Sequence, residues 1–442
     1  MKSPNKRARS PSPADHPAIW PASDHHLQAA RAFLKQSATA NQPVLLLPDK
    51  DADGLCASLI IYRTLLLLGL SPSLISVHFV AKGSNVHALA ERRRMEAYEP
   101  KWVIVVDQGS REGGPLVNGK DVKTLVVDHH WSDAFPSGAL ALSAARYPPV
   151  ATSSTLAYIL CRPLHEDVRL QTDYLCAIGT MGDLGSAFKW EDPWPVEDMK
   201  ACFKKYTKKC LSDAVRLVNA PRRTATYDVS SAWEALLRTD TPRAITDTPT
   251  SSTPACIRRL YAAQAEVKAE TDKWSHAPPK FSGDGRVALI RITSGAQIHP
   301  LIATRWAQTL KSSKLEIVMC ANDGYVPSSP STTTNFSCRV ARCAASRSTM
   351  SVPVDIISTL KEYASRVPGL REAMGEDFAR GHKEASGGIV RTEEFERLWG
   401  VMLESEGEGD GGGGRGSPKK KQKRDVSAQK NTLEGWVVRD PT

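Results

Sequence analysis

The sequence predicts an α/β protein of two lobes, a larger one built on a parallel sheet and a smaller α/β lobe toward the C-terminus. Three observations carry this. The runs 44–47, Trp102–Val106 and 124–127 are apolar throughout, as strands covered on both faces of a parallel sheet must be, and helix-compatible segments separate them. A second structured block, 284–402, opens on the strand-like run 287–292. At 442 residues the chain exceeds what one core organises.

Taken in order, residues 1–23 are rich in Pro, Ser, Lys and Arg and read as a disordered basic tail. The block 24–228 holds the three apolar runs. Residues 229–283 read as a linker and connecting helix. Within them 239–254 is rich in Ser, Thr and Pro, and 256–274 is rich in strong helix formers. The smaller lobe, 284–402, is interrupted by the polar insertion PSSPSTTTN at 327–335. Residues 403–442 begin as low complexity (ESEGEGDGGGGRG) and read as a second disordered tail.

Composition excludes several classes. Hydrophobic residues at 41% and charged residues at 24% fit a globular chain, not a collagen-like or wholly disordered one. Nine scattered cysteines without a CxxC pair fit a reducing compartment, not a zinc ribbon or a disulfide scaffold. The N-terminus lacks the apolar core of a secretory signal. The most apolar stretch, 55–70, is too short to span a bilayer and carries Arg63, so no membrane association is expected.

The carboxylates fall where the strands end. Asp49, Asp51 and Asp53 follow the first run, Asp107 the second, and Asp128, His129 and His130 the third. In a parallel α/β sheet, ligands bind beyond the carboxyl ends of the strands, so three strands deliver acids and imidazoles to one edge. A helix cap or turn would explain any one of these residues alone, but not their shared position. A calcium loop starting at Asp49 would need Glu at its twelfth position, where Ile60 stands. Clustered carboxylates repel one another unless cations compensate, and Mg²⁺ or Mn²⁺ suits oxygen and imidazole donors. Two such ions about 3.5–4 Å apart would neutralise a phosphate and activate water for in-line attack.

The segments DKDADG, VVDQG, VVDHH and LCAIGTMGDLG together resemble the four ordered motifs of the DHH phosphoesterase superfamily. The resemblance implies that Asp51, Asp53, Asp107, His129 and Asp183 hold two Mn²⁺ or Mg²⁺ ions, with Asp49 an additional ligand. It further implies that His130 faces the scissile phosphate and that Asp128 orients the histidines. Toward the C-terminus, RGHKEASGG resembles the GGHxxAxGG motif of the DHH-associated domain that closes over substrate, with Arg380 in place of the first Gly. This places the site in the cleft between the lobes, with Arg380, Gly381, His382, Gly387 and Gly388 as substrate contacts. Partial matches around Arg222 (NAPRR), His299 (HPLIATR) and Arg339 (NFSCR) add three more and point to the RecJ-like branch.

The implied activity is a metal-dependent exonuclease on single-stranded DNA. Two alternatives remain: a phosphodiesterase for oligonucleotides or small nucleotides, and a non-catalytic replication or repair scaffold. In the tails, Lys419, Lys420, Lys421, Lys423 and Arg424 form a cluster expected to engage the nuclear import machinery, making the protein nuclear, with a cytoplasmic location the alternative. Leu433 and Trp436 resemble a degenerate sliding-clamp-binding box. Lys2, Lys6, Arg7 and Arg9, with those five and Arg415, are ten basic residues, as many as the net charge of +10, although the tails' own acids leave 1–23 at +3 and 403–442 at +1.

Overall fold

The structure, a computed structural model, describes residues 20–326, 332–347, 353–375 and 378–404. The first sheet comprises β1 (Val44–Pro48), β2 (Ile75–Val77), β3 (Trp102–Val106), β4 (Lys123–Asp128) and β5 (Ala139–Ser143). All pairings are parallel, in the order β2-β1-β3-β4-β5. Pro48 pairs with Val106 and Val106 with Val127, so the central strands end level. Whatever follows them projects from one edge.

Alternation along each strand divides the apolar residues between two faces. Val44, Leu46, Ile104 and Val106 join the large core on one side, with the helices Asp24–Thr39, Ala52–Leu67, Ser153–Cys161 and Val168–Leu184. Leu45, Leu47, Val103 and Val105 pack on the other side against Val86, Met95, Leu116 and Val117. Helix Ala52–Leu67 is buried from Ala52 to Leu65, enclosed chiefly by helices Ser153–Cys161 and Val168–Leu184. This explains the long apolar stretch by core burial. Among the described residues no helix is long and apolar enough to cross a membrane.

The second sheet comprises β6 (Lys280–Phe281), β7 (Val287–Ile292), β8 (Ile317–Asn322), β9 (Thr333–Val340), β10 (Arg380–His382) and β11 (Ala385–Arg391), in the order β10-β11-β9-β8-β7-β6. Only β7 and β8 run parallel; the other pairs are antiparallel. Its faces carry separate cores, one around Phe336, Tyr363 and Phe395, the other around Ile290, Ile302 and Val318.

Several local expectations are corrected. The segment expected as a loop at 239–254 contains a helix, Pro242–Thr246, because Thr241 caps it, Pro242 starts it and Ile245 is buried beneath it. The expected insertion ends early, since Thr333 to Asn335 are strand residues paired with Arg391 to Ile389. Strands β2 and β5 had gone unrecognised: both are edge strands, short and mostly half-buried. The import cluster, Leu433 and Trp436 lie outside the described residues, as do Lys2, Lys6, Arg7 and Arg9.

Candidate metal centre and anion cavity

Asp51 ends the turn after β1 and caps helix Ala52–Leu67, accepting from the Asp53 and Gly54 amides at 3.1 and 3.2 Å. A β-carbon at Gly54 would meet Asp49 at 2.8 Å, so only glycine lets the strand turn into the helix this tightly. Asp53, fully buried, lies at the amino end of helix Ser153–Cys161. Its carboxylate accepts from the Ser153 amide at 2.8 Å and the Ser154 amide at 2.9 Å, where the helix dipole favours negative charge.

Asp107 leaves β3 in the left-handed region, φ 62°, a conformation that costs a non-glycine residue about 1 kcal/mol or more. Its Oδ1 accepts from the Ser153 hydroxyl at 2.8 Å. His129 Nε2 sits 3.3 Å from Asp107 Oδ1 and 3.2 Å from Asp183 Oδ2. Asp128 accepts from the amides of His129 and His130 and from His130 Nδ1 at 2.8 Å, so its single carboxylate sets the turn and the ring together.

Three groupings bring potential ligand atoms within 4.8 Å of one another: Asp53, His129 and Asp183; Asp107, His129 and His130; and Asp49, Asp51 and Asp107. Every metal ligand implied by the sequence falls within them.

The electrostatics show what the cluster lacks. Burial and the Asp183 charge push Asp53 up to about 7, and burial with the Asp53 charge raises Asp107 well above the carboxylate range. Burial opposes charging His129, yet the hydrogen bonds its ring donates to Asp107 and Asp183 raise it well above its usual value. For His130, Asp128 overcomes burial and lifts it to about 9. Asp53 and Asp107 thus hold protons more readily than free carboxylates do, whereas Arg222 and Lys50 draw Asp51 the other way; the buried acids call for positive charge, and the oxygen and imidazole donors suit a hard divalent ion. The residues present therefore fit divalent metal ions.

Next to this acidic edge lies a cavity of about 620 Å³ between the lobes. Its first-lobe wall includes Asp49, Lys50, Asp51 and His130, and its other walls include Arg222, Arg223, His299, Arg339, Gly381, Gly387 and Gly388. The side chains of Arg380 and His382 lie outside the described residues, although their backbone forms β10. Arg222 joins the lobes: it donates to Asn219 Oδ1 at 2.9 Å and Gln297 Oε1 at 3.0 Å, and approaches Asp51 at 3.8 Å. Asn219 Oδ1 also accepts from the Ala52 amide at the start of the buried helix.

His299 is held neutral, down to about 3, by burial and the charges of Arg223 and Arg339. Its Nδ1, together with Asn335 Nδ2 and Arg223 Nη1, has no hydrogen-bond partner among the described residues, and all three residues line the cavity. Buried polar atoms of this kind are normally satisfied by water, an ion or a ligand. Arginines on one wall and a carboxylate edge on the other suit a phosphate accompanied by cations.

Sequence reasoning missed Ser153 and Ser154, and carried Asn219 and Asn335 only within the NAPRR and NFSCR matches, without a role of their own. The segment ATSST carries an N-cap signature that places a helix start, but nothing in it reveals that Asp53, one hundred residues earlier, lies at that helix end. Replacing Ser153 by Ala is expected to weaken Mn²⁺ binding by about 10–100-fold, because Asp107 loses the hydroxyl that orients it. Titration calorimetry checks this, and an unchanged affinity would refute the role.

Residues 43–180 match the model of the DHH family, N-terminal domain. Over 234 residues the chain is 27% identical to the single-stranded-DNA-specific exonuclease RecJ of Thermus thermophilus; the match covers 48% of this chain and 34% of that protein, about a third of the relative's length. A crystal structure of an exonuclease RecJ bound to manganese superposes with TM-score 0.58 at 18% identity, over 87% of this chain and 95% of that one. The DHH domain of a member of the s1p family of ribosomal proteins gives TM-score 0.59 at 15% identity, over 86% and 91%. At these identities the solved structures speak to the fold.

Proposed function

The chain belongs to the DHH superfamily and is RecJ-like in architecture, and on that premise we propose that it is a metal-dependent phosphodiesterase, an exonuclease acting on single-stranded DNA. The observation that supports this best is the apposition of the Asp/His cluster with a cavity lined by Arg222, Arg223 and Arg339. Asp49, Asp51, Asp53, Asp107, His129 and Asp183 would hold two divalent ions, Mn²⁺ or Mg²⁺. Such ions, when bound, neutralise phosphate charge and lower the pKa of an attacking water.

The chain's own groups do the rest. Arg222, Arg339 and the backbone at Gly381, Gly387 and Gly388 grip phosphate oxygens. With Nδ1 fixed by Asp128, His130 is left its Nε2 for an oxygen of the scissile phosphate. His299 and Asn335 satisfy their open polar atoms on the nucleotide.

The size of the cavity, within the range of small-ligand pockets, favours a second reading, in which the substrate is a short oligonucleotide. The two are separated by giving the full chain, with Mn²⁺, end-labelled single strands, duplexes and dinucleotides. Stepwise release of mononucleotides from long strands is the expected result. Cleavage confined to dinucleotides selects the second reading, and cleavage of none overturns both in favour of a non-catalytic scaffold. The basic tail clusters suit a nuclear location, for which an import assay with Lys419, Lys420 and Lys421 neutralised is the test.

A further inference from the structure

Among the described residues, three exposed large apolar side chains stand close in sequence to residues of this site. Trp131 directly follows His130 and is 63% exposed; Leu184 directly follows Asp183 and is 41% exposed; Val150, 39% exposed, precedes the turn into Ser153. Trp131 differs from the other two in being backed by a cation. The Arg146 guanidinium lies 4.5 Å from its ring centroid, and Asp133 fixes that guanidinium at 2.7 Å. The backbone beneath is set by Asp128, which accepts from the two preceding amides. An indole has two faces, and Arg146 covers one.

We propose that the open face of Trp131 is a stacking platform for a nucleobase of the single strand, at the mouth of the metal site. Resting as it does on the phosphodiesterase reading above, the inference adds a base-recognition position outside the cavity. A stacked base needs a rigid, flat apolar surface, and every base offers a π-face, so the contact is sequence-tolerant. The Arg146 guanidinium, itself paired with Asp133, backs the ring from the covered face. The platform adjoins the catalytic turn itself, so a base seated there places its phosphate close to His130.

The test compares the full chain with W131A and W131F. Fluorescence anisotropy with labelled oligothymidylate in EDTA reads strand affinity without turnover, and steady-state kinetics with Mn²⁺ read KM and kcat. For W131A the strand Kd and KM are expected to rise about tenfold, the weight of one stacked base, with kcat within about twofold and Mn²⁺ affinity unchanged. W131F, which keeps a flat ring, is expected to stay within about threefold of the native protein. A W131A protein that binds the strand as tightly as the native chain overturns the inference while leaving the phosphodiesterase reading intact. A native chain that neither binds nor cleaves any oligonucleotide overturns that reading, and the inference with it.

Discussion

Replacing Asp107 by Ala is expected to lower turnover by about three orders of magnitude or more. Asp107 belongs to two of the three ligand groupings, so no other residue of the second strand's end can compensate. Loss of charge stabilisation at a phosphate amounts to several kcal/mol, and about 1.4 kcal/mol is tenfold in rate. Stability should move the other way. In the metal-free protein Asp107 is buried beside Asp53 and Asp51 in a left-handed backbone conformation, and its removal lifts the cost of keeping an acid there, whether as repulsion or as proton uptake. The Tm without metal should therefore hold or rise. The stabilisation that Mn²⁺ gives the native chain, about 2.7 kcal/mol at a hundredfold excess over Kd, should largely vanish. Thermal melts with and without Mn²⁺, alongside the nuclease assay, check both. A variant that retains native turnover refutes the assignment of Asp107.

The second large effect is expected at Gly179. Alanine is ordinarily favoured over glycine inside a helix by about 1 kcal/mol. Here its β-carbon would lie 1.8 Å from Ser154 Oγ and 2.9 Å from Asp53 Oδ1, and helix Val168–Leu184 cannot withdraw because it is packed along helix Ala52–Leu67. The clash outweighs propensity, so G179A should lose about 1–3 kcal/mol and also weaken Mn²⁺ binding, because Ser154 and Asp53 are the groups displaced. G400A is the control: it lies in helix Thr392–Glu404, an added β-carbon meets nothing within 4 Å among the described residues, and it should gain up to about 1 kcal/mol. Melting and metal titration of both variants decide the matter; a stabilised G179A would refute the packing argument.

The central strands were legible because burial on both faces demands unbroken apolar runs, as at Trp102–Val106. The carboxylates were legible because a parallel sheet exports its strand ends to one edge, a rule that needs no side-chain coordinates. What could not be read was convergence from afar. Ser153 reaches Asp107 across forty-six residues, and Asn219 reaches the start of a helix at Ala52; neither carries a local signal beyond that of a cap or a polar surface residue. Edge strands were missed for the opposite reason: Ile75–Val77 is too short and too half-buried to impose a pattern. The two-lobe cavity was anticipated only through motif resemblance, since no periodicity in the sequence reports which residues of β9 and β11 line it.

Helix Ala52–Leu67 carries Asp53, one of the residues proposed to hold a metal ion, in its first turn and is buried along nearly its whole length. Most enzymes mount their ligands on loops that can loosen while the scaffold persists. In this chain the most strained charges are fastened to the element that the rest of the lobe folds around. Amide exchange along 52–65 should therefore report on the metal site as directly as on the core: stripping the ions is expected to raise exchange across the whole helix together, and no subset of the site should open ahead of it. Metal loss would then be sensed as a weakening of the entire lobe, which makes ion availability a determinant of how long the folded protein survives.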